Sequence, residues 1–134
     1  MPNKTLLIIA CASMFIAIVL GAMAAHYLKG TLKLPDYKLD SWKTAVFYQI
    51  VNSLSIIILF ILAHIMKTSF NVESAFLLVG FILFSFSIYI LTLNHIWQID
   101  VLNKIMGPIT PLGGLIMLLG WALLVLKLFK LKGL

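Results

Sequence analysis

The sequence is poor in charge and contains no arginine: its 10 basic residues are all lysines, against 4 acids, which gives a formal net charge of +6. Charged residues make up 10% of the chain and hydrophobic residues 63%. Soluble domains are about 25% charged, so this chain has too few charges to cover a water-exposed surface. The lysines lie scattered between apolar runs without a nucleic-acid-reading motif, which argues against nucleic-acid binding and favours membrane lipids as partners.

Groups that could form a catalytic or metal centre are also scarce. The single cysteine, Cys11, forms neither an intrachain disulfide nor a zinc site. His26 and His95 lie at the ends of apolar runs, whereas haem ligation requires facing histidines at a central depth. The serines lack a neighbouring base with an orienting third residue, and the apolar runs contain no carboxylate for a proton relay. The sequence therefore predicts no metal, no cofactor and no enzymatic activity.

Four long uncharged runs predict an all-α, integral membrane four-helix bundle. A bilayer core of about 30 Å requires about 20 helical residues, and each run is long enough. Near the last run, Gly107-Pro108 is expected to break the chain, with Thr110 as N-cap and Pro111 at the first helical position. We predict a single transmembrane domain over 1–134, with spans at 5–27, 42–66, 72–97 and 110–129.

The orientation of the spans is not decided by the positive-inside rule, because the lysines divide equally between the two sides. We call the side that holds both termini the terminal side and the opposite side the loop side. The terminal side holds Lys4, Lys67, Lys127, Lys130 and Lys132, and the loop side holds Lys29, Lys33, Lys38, Lys43 and Lys104. Three of the 4 acids lie on the loop side, which leans toward cytoplasmic termini.

Polar residues gather in the loop-side halves of the predicted spans. Thr44, Tyr48 and Asn52 are spaced by four and share a helix face, and Asn52 and Ser85 reach about 15 Å deep. Hydrocarbon offers no hydrogen-bond partner, so these side chains must face protein or water. The pattern predicts a polar pocket, with simple hydrogen bonding between helices as the alternative. Its candidate residues are His26, Thr44, Tyr48, Gln49, Asn52, Ser85, Ser87, Tyr89, Thr110, Gly113 and Gly114.

Small residues suggest two further features. Gly113 and Gly114 leave the backbone uncovered at the predicted start of helix four, where amide groups could hold an anion or a lipid head group. An ordinary capped helix with small packing residues is the alternative. In the first span, small residues recur every fourth position and predict close packing, within the bundle or between subunits. That stripe consists of Ser13, Ala17, Gly21 and Ala25.

Four segments in order resemble one known family. They are 21–26 (GAMAAH), 42–49 (WKTAVFYQ), 84–89 (FSFSIY) and 109–114 (ITPLGG), the last followed by Gly120-Trp121. This series is similar to the family called domain of unknown function 423, which includes YgdD-like small bacterial membrane proteins and is related to transmembrane protein 256. The resemblance implies a four-span, multi-pass protein of the bacterial plasma (inner) membrane and implies no established activity.

Two functions are therefore expected from the sequence. The first is a membrane protein of unknown activity whose pocket in one leaflet binds a lipid head group or a small polar solute. The second is a small oligomeric transporter or channel. The absence of charge within the runs argues against proton coupling and leaves passive conduction open. Either function is compatible with a homo-oligomer.

Overall fold

The computed structural model describes residues 1–131, so Lys132 lies outside the described residues. Four long helices are joined by short turns: α1 (Lys4–Met23), α2 (Asp36–Ile65), α3 (Asn71–Trp97) and α4 (Asp100–Lys130). α1 continues as a π-helical segment over Ala24–Thr31. Together with this extension of α1, all 4 helices are long and apolar enough to cross a membrane. No strand occurs in residues 1–131, and the all-α four-helix membrane fold is confirmed.

The helices pack mainly in chain order. α1 packs on α2, α2 on α3 and α3 on α4, with a minor approach of α1 to α3. Over residues 1–131, no Cα atom of α4 lies within 8 Å of a Cα atom of α1 or α2. The backbones of α2 and α4 therefore stand apart on either side of α3, which leaves a groove between them.

Glycines bring α3 and α4 into backbone contact. A Cβ atom added to Gly80 would lie 2.6 Å from the amide nitrogen of Met117, and one added to Gly113 would lie 2.7 Å from the carbonyl oxygen of Gly80. Gly120 continues this face, where an added Cβ would lie 3.1 Å from the Cβ atom of Phe76. Small residues permit such close approach, and dispersion contacts along it hold membrane helices together. α4 is thus fixed by α3.

The prediction that helix four begins at Pro111, with Thr110 as its N-cap, is wrong, because α4 begins at Asp100 and continues through Pro108 and Pro111. A proline within a helix removes one amide hydrogen bond. In membrane helices, neighbouring side chains can satisfy such disturbed backbone groups. Packing on α3 then stabilises a helix that its local sequence would interrupt.

The small-residue stripe of α1 packs on α2 over only part of its length. Ser13 and Ala17 are buried, Gly21 is partly buried, and Ala25 is exposed. A spacing of four advances about 40° past one full turn of an α-helix, so the stripe drifts by roughly 120° over its length. Ala24, one residue earlier, takes the buried position instead. The first half of this stripe is therefore used within the protomer.

Candidate functional site

The buried side chain of Gln49 joins three helices. Its amide nitrogen donates to the carbonyl oxygen of Ser13 at 3.0 Å and lies 3.1 Å from the Ser13 hydroxyl. Its oxygen accepts from the Tyr89 hydroxyl at 2.7 Å. Trp42 lies beside this network, with its ring centroid 4.5 Å from that of Tyr89 and its indole N–H donating to the carbonyl oxygen of Leu20. Gln49 and Tyr89 are thus engaged in holding α1, α2 and α3 together.

Two serines of α3 connect that helix to its neighbours on both sides. The Ser85 hydroxyl donates to the carbonyl oxygen of Ala45 on α2 at 2.8 Å. The hydroxyls of Ser87 and Thr110 lie 2.7 Å apart and link α3 to α4. Both serines are buried, so these bonds form in an environment without competing water. Ser85 and Ser87 stabilise helix packing.

Asn52 and Ser53 keep hydrogen-bonding capacity in the middle of α2. The Asn52 amide nitrogen donates to the carbonyl oxygen of Tyr48 at 2.8 Å and lies 3.3 Å from the sulfur of Met117. The Asn52 side-chain oxygen and the Ser53 hydroxyl are buried and have no hydrogen-bond partner among the described residues. An unsatisfied buried polar atom is costly and rare in a folded protein. These two atoms therefore mark the interior position most open to an additional partner.

An open groove of about 510 Å³ lies on the loop side between α2 and α4, with α3 as its floor. It brings together Thr44 and Thr110 from the predicted pocket. It is lined by Lys38, Ser41, Thr44, Ile88, Leu91, Thr92, Gly107, Thr110 and Pro111. Lys38 and Ser41 were not among the predicted pocket residues. A spacing of three places Lys38 and Ser41 on the helix face that carries Thr44. This follows from the sequence only if α2 is predicted to begin at Asp36.

A second recess of about 420 Å³ adjoins this groove toward the turn between α3 and α4. Lys38 and Leu91 line both spaces. The further lining residues of the second recess are Tyr37, Asn94, His95, Gln98, Asp100 and Asn103. The Asp100 carboxylate and the Lys38 ammonium form no ion pair with each other or with any other described residue. One free charge of each sign therefore lines the combined space.

Several predicted pocket residues lie elsewhere. His26 is exposed on the π-helical segment, away from the groove lining. The Tyr48 ring packs 4.8 Å from that of Phe84, and a Cβ atom added to Gly114 would lie 3.8 Å from the same phenylalanine. Gly113 lies in the contact with α3. The expected anion cradle at Thr110 is wrong, because the free amides at the start of α4 lie near Asp100.

An ion pair at the terminal side was missed by the sequence analysis. The Lys127 ammonium lies 3.2 Å from a carboxylate oxygen of Glu73, also donates to the carbonyl oxygen of Ser69, and stands 5.1 Å above the Phe70 ring. Because α3 and α4 are antiparallel, the start of α3, with Glu73, lies beside the end of α4, with Lys127. The opposite charges at these two ends could have predicted the pair. In residues 1–131, no three His, Cys, Asp or Glu side chains come together to hold a metal ion.

Four membrane-length helices with hydrogen-bonded polar side chains between them define a multi-pass helical membrane protein. Residues 20–114 match the family model described as "Protein of unknown function (DUF423)", and the chain belongs to this family. It is 34% identical to UPF0382 membrane protein SH2409 of Staphylococcus haemolyticus, over 97% of this chain and 99% of the relative. It is 33% identical to UPF0382 membrane protein YwdK of Bacillus subtilis, over 95% and 98%. No solved structure matches the chain.

Proposed function

We propose that this protein is a non-enzymatic component of the bacterial plasma membrane that binds a lipid head group in the groove between α2 and α4. The observation that carries this proposal is a groove of about 510 Å³ lined by hydroxyl groups and by Lys38, which forms no ion pair with the described residues. Ligand sites commonly measure about 300–1,000 Å³. Bacterial relatives that are named membrane proteins support the location.

The chemistry of the groove favours a phosphate group. Lys38 donates hydrogen bonds, and phosphate oxygens are strong acceptors. The hydroxyls of Ser41 and Thr44 donate to the carbonyl oxygens of Tyr37 and Asp40 at 3.0 and 2.9 Å and would have to rotate from these bonds to donate to a phosphate. Ile88 and Leu91 form an apolar part of the groove wall, against which the glycerol end of a lipid can pack. Because the Cα atoms of α2 and α4 stay more than 8 Å apart over the described residues, a lipid can enter the groove sideways from the bilayer. One protomer forms the whole groove, so a homo-oligomer would carry one site per copy.

Native mass spectrometry of the purified protein with added phospholipid tests this proposal. Thr44 is exposed on the groove wall, and Thr44→Trp fills the space without disturbing the interior. Phe47→Trp is the matched control, because Phe47 lies less than one turn further along α2, is exposed, and is absent from the groove lining. We expect Thr44→Trp to reduce lipid retention about fivefold, which corresponds to about 1 kcal/mol, and Phe47→Trp to leave it unchanged. Equal retention by both variants would refute the proposal.

A transporter or channel is the competing outcome, and flux into proteoliposomes distinguishes it. Under the binding proposal, liposomes carrying the protein pass small polar solutes no faster than empty liposomes. The buried side-chain oxygen of Asn52 has no hydrogen-bond partner within residues 1–131, so a permeating solute could donate a hydrogen bond to it. Solute movement that Asn52→Leu abolishes would overturn the binding proposal in favour of transport.

A further inference from the structure

We infer that the head group is zwitterionic, with its phosphate in the groove beside Lys38 and Thr44 and a primary ammonium in the adjoining recess beside Asp100. This inference rests on the proposed function and adds the chemical class of the ligand. The groove and the recess share Lys38 and Leu91, so a single head group can occupy both. An aminoethyl phosphate ester carries the two required charges a few bonds apart.

The distribution of charge favours such a ligand over an anionic one. Among the described residues, Lys38 is the single ionisable side chain that lines the groove. Asp100 is the single acid among the described residues that line the recess, which Lys38 and His95 also line. These opposite charges do not pair with each other in the described part of the chain. A ligand with one negative and one positive group satisfies both, whereas a purely anionic head group would leave the Asp100 carboxylate facing like charge.

The hydroxyl-lined end of the groove lies deeper in the membrane than the acidic recess does. Thr110 lies in the groove and follows Asp100 by ten residues in α4, which places it about 15 Å further from the loop-side surface. The hydroxyl-lined groove is thus the deeper part, and the acidic recess is the part nearer to water. In an aminoethyl phospholipid the phosphate is likewise nearer to the acyl chains, and the ammonium is the outer group.

The recess also offers acceptors suited to a primary ammonium. Such a group donates up to three hydrogen bonds, and a trimethylated one donates none. The Asp100 carboxylate accepts hydrogen bonds, and the side-chain oxygen of Asn103, already accepting from Asn94 at 2.9 Å, has a second lone pair. These features predict selection for unmethylated amine.

Competition between lipids with identical acyl chains tests the inference. The purified protein is mixed with equal amounts of phosphatidylethanolamine, phosphatidylcholine and phosphatidylglycerol, and the retained lipids are counted by native mass spectrometry. We expect phosphatidylethanolamine to exceed each of the others about threefold, as befits one partly exposed ionic contact. Soluble glycerophosphoethanolamine as competitor separates a lipid from a free phosphate ester: a lipid site is displaced weakly or not at all, and full displacement would overturn the lipid assignment.

Asp100→Asn should lower retention of phosphatidylethanolamine to that of the other two lipids. Asp36→Asn is the matched control, because Asp36 is also an exposed acid in a first helical turn and lines neither space. An unchanged preference in Asp100→Asn, or a wild-type preference for phosphatidylglycerol, would overturn the inference while the proposed function stands. If Thr44→Trp leaves total retention unchanged, the proposed function fails and this inference fails with it.

Discussion

The contact between α3 and α4 predicts that one methyl group at Gly113 destabilises the protein, whereas the same group at Gly114 does not. At Gly113 the added Cβ would lie 2.7 Å from the carbonyl oxygen of Gly80 and closer still to the amide nitrogen of Phe84. An ordinary contact is at least 3.4 Å, so the helices must separate by roughly 0.7 Å or more. At Gly114 the nearest atom outside the helix is 3.8 Å away. Only the first variant therefore forces two backbones apart.

The pair of variants isolates the cost of that clash. Both exchange glycine for alanine in a helix, which stabilises by about 1 kcal/mol in each case, so this gain cancels between them. Overpacking costs about 1–3 kcal/mol, and Gly113→Ala should be less stable than Gly114→Ala by that amount. Reversible unfolding in mixed micelles containing dodecyl sulfate, followed by circular dichroism, measures the difference. Equal stability of the two variants would refute the close contact.

Three further predictions concern buried and lipid-facing groups. Gln49→Leu should lower the free energy of unfolding by about 2 kcal/mol. Each lost interhelical hydrogen bond contributes about 0.6 kcal/mol, and the polar groups of Ser13 and Tyr89 that bond to Gln49 become unpaired. Wild-type stability of this variant would contradict the network. In a double-mutant cycle, Glu73→Gln and Lys127→Met should couple by about 1 kcal/mol, and additive effects would contradict the ion pair. Cys11 is exposed on the apolar first helix and should face lipid in the terminal-side half. In liposomes it should react with a membrane-permeant maleimide and not with an impermeant one added to either side; labelling by the impermeant reagent would contradict this placement.

The number of helices follows from the sequence alone, because four uncharged runs of membrane length admit few other structures. Burial of Gln49, Asn52 and Ser85 follows from the same reasoning, since amides and hydroxyls deep in a bilayer must find partners within protein. Which partners they find does not follow. Gln49 bonds to Ser13, whose position was predicted for packing only, and that pairing depends on the rotation of α1 against α2.

The start of α4 and the groove lining could not be predicted because they depend on tertiary contacts. Pro108 and Pro111 are local stop signals, and the contact of Gly113 with α3 overrides them. One sequence gives no indication that Gly80 faces Gly113, because each glycine by itself fits many roles. Lys38 joins the groove only because α2 begins at Asp36, earlier than its uncharged run suggests.

The glycine contact between α3 and α4 also bears on the order of assembly. These helices are joined by Gln98 and Ile99 alone, so bringing them together costs little loop-closure entropy. We expect them to pair as a helical hairpin soon after both have entered the bilayer, with α1 and α2 docking on the opposite face of α3 afterwards. The last helices to be synthesised, α3 and α4, would then form the surface on which the first two helices dock.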